Sequence, residues 1–150
     1  MRIVSRPMLI FLICLSLPVS GADVFGVWRV NFARSTNAYH HAVVVHFEPH
    51  PKGEVFTWDQ IDRNGRSTTS STILYLDGKA REFEGFGCSG TQLSRRLDAQ
   101  TVEILRTCGS GELTTLVRRL AADPKELILE ITERQTNGRR FERRLVMEKR

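Results

Sequence analysis

The chain has 150 residues, 41% of them hydrophobic and 26% charged, with a formal charge of +5. That length fits one domain, and its ordinary glycine and proline usage excludes collagen-like and low-complexity disordered classes. No apolar run reaches the roughly 18 residues that a membrane-spanning helix needs.

Residues 1–22 have the layout of a secretory signal peptide. Arg2 and Arg6 charge the start, Met8–Leu17 is largely apolar, Pro18 breaks that run, and Ser20-Gly21-Ala22 supplies the small residues that signal peptidase requires. Cys14 does not make this a lipoprotein signal, because Leu12 and Ile13 precede it where a small residue is needed. Cleavage after Ala22 predicts an exported, periplasmic or secreted domain over 23–150. The mature chain keeps 20 basic and 17 acidic residues, a net charge of +3. That is too weak an excess to predict nucleic-acid binding. The doublets Arg95-Arg96, Arg118-Arg119, Arg139-Arg140 and Arg143-Arg144 read as solvated strand faces, since neighbours on a strand point to opposite sides.

The mature chain is a succession of short strand-like runs, at about 26–33, 41–48, 54–63, 66–76, 79–84, 91–97, 101–108, 112–121, 126–134 and 139–148. Turn residues separate them, among them Asn64-Gly65, Asp77-Gly78 and Asn137-Gly138. Arg34–His40 has room for one short helical turn. The expected fold is all-β and antiparallel, a closed barrel or a sandwich of eight to ten strands. With a two-residue Asn64-Gly65 turn, Phe56 faces Ile73 and Trp58 faces Ser71, so Phe56, Trp58, Ile73 and Tyr75 share a buried face. For the last hairpin a three-residue loop, Thr136-Asn137-Gly138, sorts the faces better: Leu129 meets Leu145, Ile131 meets Arg143, and Glu130 meets Arg144 outside. No simple turn at Asp77-Gly78 gives a consistent register. Cys88 and Cys108 form an even pair in an oxidising compartment. They flank two runs that turn back at Asp98-Ala99-Gln100, which predicts a disulfide.

The mature start, Gly26-Val27-Trp28-Arg29-Val30-Asn31, and the ending Glu148-Lys149 frame this all-antiparallel chain. Together they resemble the lipocalins and wider calycins, in particular small secreted bacterial lipocalin-like proteins that begin Gly-x-Trp-x-x-Asn. The resemblance implies an up-and-down β-barrel with Trp28 packed structurally at its closed end, beneath a basic residue from the last strand. Arg143 is the expected partner, with Arg144 as the alternative. The Arg-x-Tyr of fatty-acid-binding relatives is replaced here by Leu145 and Met147, so that route to a carboxylate is not implied.

Several motifs carry no chemistry in this setting. Gly85-Phe86-Gly87-Cys88-Ser89-Gly90 spells a dinucleotide fingerprint, but a strand follows it rather than the helix the fingerprint needs. His40, His41, His46 and His50 cluster in sequence. An extended strand, however, puts His40 and His46 roughly 20 Å apart, too far to share an ion. No catalytic constellation, metal site or cofactor is predicted. The leading expectation is an exported binding protein for a small apolar or amphipathic ligand inside the barrel. Its candidate lining is Val43, Val45, Phe47, Phe56, Trp58, Ile73, Tyr75, Leu129, Ile131 and Leu145. The alternative is an envelope interaction module, or a small inhibitor that engages a protein partner through its loops.

Overall fold

The computed structural model describes residues 23–38 and 42–150. The expected leader, with His40 and His41, lies outside them. Ten antiparallel strands form one sheet: β1 Gly26–Val30, β2 Ala42–His50, β3 Gly53–Ile61, β4 Ser67–Leu74, β5 Arg81–Gly85, β6 Cys88–Arg96, β7 Thr101–Cys108, β8 Leu113–Leu120, β9 Glu126–Arg134 and β10 Arg140–Lys149. Except for β4 and β5, neighbours in sequence are neighbours in the sheet, and β1 pairs with β10, so the order runs β4-β3-β2-β1-β10-β9-β8-β7-β6-β5. The sheet curls into a nearly closed barrel, and β4 and β5 are its two unpaired edges.

Alternation explains which side of each strand is buried. On β2, Val43, Val45 and Phe47 point inward; on β10, Leu145 and Met147 do so while Glu142, Arg144 and Glu148 stay exposed. Val146 breaks the pattern because the segment after β1 covers the outside of β10 there. Asn31 donates its amide to the Val146 carbonyl at 2.8 Å, and the Val146 amide donates to Ser35 Oγ at 3.0 Å. That segment holds one 3-10 turn, Phe32–Arg34, two residues ahead of the expected helical turn.

The β9–β10 hairpin has the three-residue loop read from its sequence. Leu129 faces Leu145 and Ile131 faces Arg143, and Gly138 takes the left-handed φ of 83° that closes the turn. The β3–β4 hairpin differs from expectation. Its loop also has three residues, Arg63-Asn64-Gly65, because Gly65 is left-handed (φ 77°) and the Asp62 carboxylate accepts from the amides of Asn64 and Arg66 at 2.8 and 2.9 Å. The register therefore shifts by one: Phe56 faces Thr72, Trp58 faces Ser70, and Ile73 and Tyr75 leave their face. Around Asp77-Gly78 no hairpin register exists to find, since β4 and β5 are not hydrogen-bonded to each other. Side chains bridge that gap instead, with Gln92 Nε2 donating to Thr72 Oγ1 at 3.1 Å and the Leu76 amide donating to Ser94 Oγ at 2.9 Å.

Trp28 is fully buried at one end of the barrel, and its indole N–H donates to the Val24 carbonyl at 2.7 Å. The basic group over it is Lys149, with Nζ 5.4 Å from the ring centroid, rather than Arg143 or Arg144. The register is the reason: Trp28 pairs with Lys149, six residues along β10 from Arg143. Above Trp28 the lower barrel is filled by side chains such as Phe47, Phe56, Leu127, Leu129 and Met147, all essentially inaccessible.

Candidate functional site

The filled core stops short of the end where the β3–β4, β5–β6, β7–β8 and β9–β10 turns gather. There the barrel holds a cavity of about 400 Å³. Strand register layers its walls. Trp58, Ser70, Leu116, Ile131 and Arg143 form a lower ring, and Gln60, Thr68, Thr114, Glu133 and Arg106 lie one inward step nearer the mouth. Phe86, from the β5–β6 turn, lines the cavity as well. The floor thus presents Trp58, Leu116 and Ile131 beside Ser70, the Arg143 guanidinium reaches up from this layer to Glu133, and the rim is polar, a distribution suited to an amphipathic guest.

Arg106 is the unusual member. Ile104 and Cys108 point inward from β7, and parity carries Arg106 to the same side, where it is 5% exposed. Its Nε donates to Gln92 Oε1 at 2.8 Å, and its guanidinium carbon lies 4.0 Å from the Phe86 ring centroid and 4.8 Å from that of Phe83. Among the described residues Nη2 has no hydrogen-bond partner. Burial pushes the Arg106 pKa down to about 10, so the group is still charged at neutral pH, while among the described residues no carboxylate forms an ion pair with it. A buried cation with an unmet donor is costly, and an anionic group seated in the cavity would relieve that cost. Arg143, by contrast, is ion-paired with Glu133 at the mouth.

Smaller cavities lie elsewhere in the barrel. A space of about 150 Å³ opens at the β4–β5 gap beside Ile73, Tyr75 and Gln92. Another of about 260 Å³ lies at the Trp28 end, beside Glu54 and Arg118. That ion pair is almost fully buried; the Arg118 guanidinium carbon lies 4.6 Å from the Phe47 ring centroid, and Arg96 reaches Glu54 at 3.4 Å.

The residues expected to line a cavity are therefore dispersed. Trp58 and Ile131 line the large one. Ile73 and Tyr75 line the space at the gap. Val43, Val45, Phe47, Phe56, Leu129 and Leu145 are buried in the packed core. Arg106, Phe86, Gln92 and Glu133 were not singled out, although parity with Ile104 and Cys108 was a usable signal for Arg106. The arginine doublets are not uniformly solvated: Arg118 points inward with Leu116 and Leu120, while Arg119 is exposed. Cys88 and Cys108 are bonded, with their Cα atoms 5.2 Å apart, and Cys88 borders the cavity. Gly85-Phe86-Gly87-Cys88 is a hairpin turn with β6 already beginning at Cys88. Among the described residues no three His, Cys, Asp or Glu side chains converge on a metal position, and His46 pairs with Asp59 on the outer face at 3.3 Å.

No family model matches the chain, and no curated protein does. Among solved structures the chain is similar to zebrafish ileal bile acid-binding protein complexed with cholic acid. The TM-score is 0.53 and the identity 14%, over 84% of this chain and 98% of that one. The fold is calycin-like. At this identity the likeness reaches the ten-stranded barrel itself and not the narrower bacterial lipocalin group.

Proposed function

We propose that this is an exported binding protein that holds one small amphipathic ligand in the 400 Å³ cavity and receives the ligand's anionic group at Arg106. The observation that carries the reading is the buried guanidinium, without an ion-pair partner among the described residues, beside a floor that presents Trp58, Leu116 and Ile131. The volume lies within the ~300–1,000 Å³ common for small-molecule sites. The barrel's likeness to a protein crystallised with cholic acid supports the same class of ligand.

The test is calorimetric titration of the disulfide-bonded protein with small carboxylates, 2-naphthoate and decanoate. Arg106→Met should weaken their binding at least tenfold, as expected on losing a hydrogen bond to a charged group worth about 1.5–3 kcal/mol. The same variant should keep or raise the melting temperature, because an apolar side chain replaces a buried charge. Unchanged affinity in Arg106→Met would remove the anion-anchoring role. Export has its own check: N-terminal sequencing of protein recovered outside the cytoplasm should begin Asp23-Val24-Phe25, and material retaining Met1 would contradict it.

A further inference from the structure

Phe86 sits where a ligand would. Its half-buried ring lies 5.5 Å from Phe56 with the planes 20° apart, and 6.1 Å from Phe83 at 24°. The guanidinium of Arg106 is 4.0 Å from its centroid. Phe56 in turn stacks on Phe47 at 5.2 Å, so the Phe86 ring ends an aromatic column that rises out of the core into the cavity. Phe86 thus occupies a place bounded by aromatic faces and a buried cation.

The turn that carries that ring is weakly tied to the strand across the gap. Phe86 (φ 54°) and Gly87 (φ 72°) are the two central residues of the β5–β6 hairpin, both left-handed as a type I′ turn requires. The turn belongs to β5, the sheet's unpaired edge, so no strand ladder holds it on the β4 side. The Phe86 amide reaches β4 through a single side-chain contact, donating to Ser70 Oγ at 3.3 Å. The hairpin fixes the backbone at Phe86, so it is the side chain, held only by its contacts with Phe56, Phe83 and Arg106, that can swing out of the cavity.

We infer that Phe86 is a built-in plug which a ligand ring displaces, so that the site selects flat, ring-bearing anions over alkyl-chain anions. This rests on the binding function proposed above and names the class of ligand. A flat ring taking the place of Phe86 regains stacking on Phe56 and the cation–π contact with Arg106. An alkyl chain gains apolar contact alone, too little to displace Phe86, and lies in the rest of the cavity with the plug in place. Because the plug competes with the ligand, apparent affinity is reduced by the fraction of molecules in which the place is open.

The experiment titrates the disulfide-bonded wild type and Phe86→Ala with 2-naphthoate and with decanoate. Removing the plug is expected to tighten 2-naphthoate binding at least tenfold and to change decanoate binding less than threefold. Equal tightening of both probes would mean that Phe86 only takes up volume. No tightening of 2-naphthoate would mean that it does not compete, and either result overturns the inference. A second measurement needs no variant: proton NMR of the wild type should show a Phe86–Phe56 ring contact that disappears at saturating 2-naphthoate, and its persistence would overturn the plug. Should neither probe bind either protein, the binding function itself fails. Arg106-dependent binding without discrimination by Phe86→Ala defeats the plug alone.

Discussion

At the scale of single residues, the barrel buries two arginines on very different terms. Arg106 has a neutral partner in Gln92 and two aromatic rings, whereas Arg118 has the Glu54 carboxylate on two of its nitrogens, with both residues only 3% exposed. Removing one member of such a pair strands the other charge in the interior. Glu54→Ala is therefore expected to destabilise the fold by about 3–5 kcal/mol, whereas the double change Glu54→Leu with Arg118→Met should be near neutral or stabilising. Urea denaturation of both variants tests this, and a single-variant cost under about 1 kcal/mol would show that water reaches the pair. Neither arginine stood out in the sequence, where hydropathy marks arginine as exposed. The legible clue was positional: Ile104 and Cys108 flank Arg106 at two-residue spacing, as Leu116 and Leu120 flank Arg118.

At the scale of elements, alternation made the strands and the β9–β10 register readable, because a one-residue slip there would mix charged and apolar side chains on both faces. The β3–β4 hairpin was harder to read. Its Ser- and Thr-rich strand fits either face, so the register is set by Asp62 and Gly65 instead of by hydrophobicity. The β4–β5 connection could not be solved as a hairpin because its strands never pair. Three aspartates brace turns in this way. Hydrogen bonds from the Arg66 amide and side chain hold Asp62 below its usual pKa. The Arg81 guanidinium does the same for Asp77, and the Gln100 amide for Asp98. A carboxylate whose pKa is lower in the folded chain adds stability above its unfolded value of about 3.9, and that stability is lost as pH falls below it. The urea midpoint should accordingly drop between about pH 4 and pH 2. Changing Asp62, Asp77 and Asp98 together to Asn should flatten that drop, and an unaltered slope would assign acid sensitivity to other groups.

At the scale of the whole molecule, the large cavity lies at the end of the barrel away from Trp28, and the disulfide sits at that same end. The bridge ties the start of β6 to the end of β7, beside the sheet's free edge, with each cysteine two residues from a cavity side chain: Cys88 from Phe86, and Cys108 from Arg106. The two half-cystines are 20 residues apart in sequence, so the bridge restricts the unfolded chain by an amount worth about 3 kcal/mol in the chain-entropy account. Reduction by a dithiol should lower unfolding stability by that much, read as a shift in urea midpoint between oxidised and reduced protein. The Cys88→Ser, Cys108→Ser double variant should match the reduced form. A loss below about 1 kcal/mol would mean that the unfolded chain is already constrained without the bridge. The barrel's other closures give the expectation its local shape. β1 pairs with β10 through backbone bonds, and Trp28 is buried at the far end, so neither depends on the sulfurs. The β5–β6 hairpin has no such second partner across the gap. Amide hydrogen exchange after reduction should therefore rise first in Arg81–Ser89, before β1, β2 or β10. Uniform acceleration across all ten strands would instead show that the bridge stabilises the barrel as a single cooperative unit.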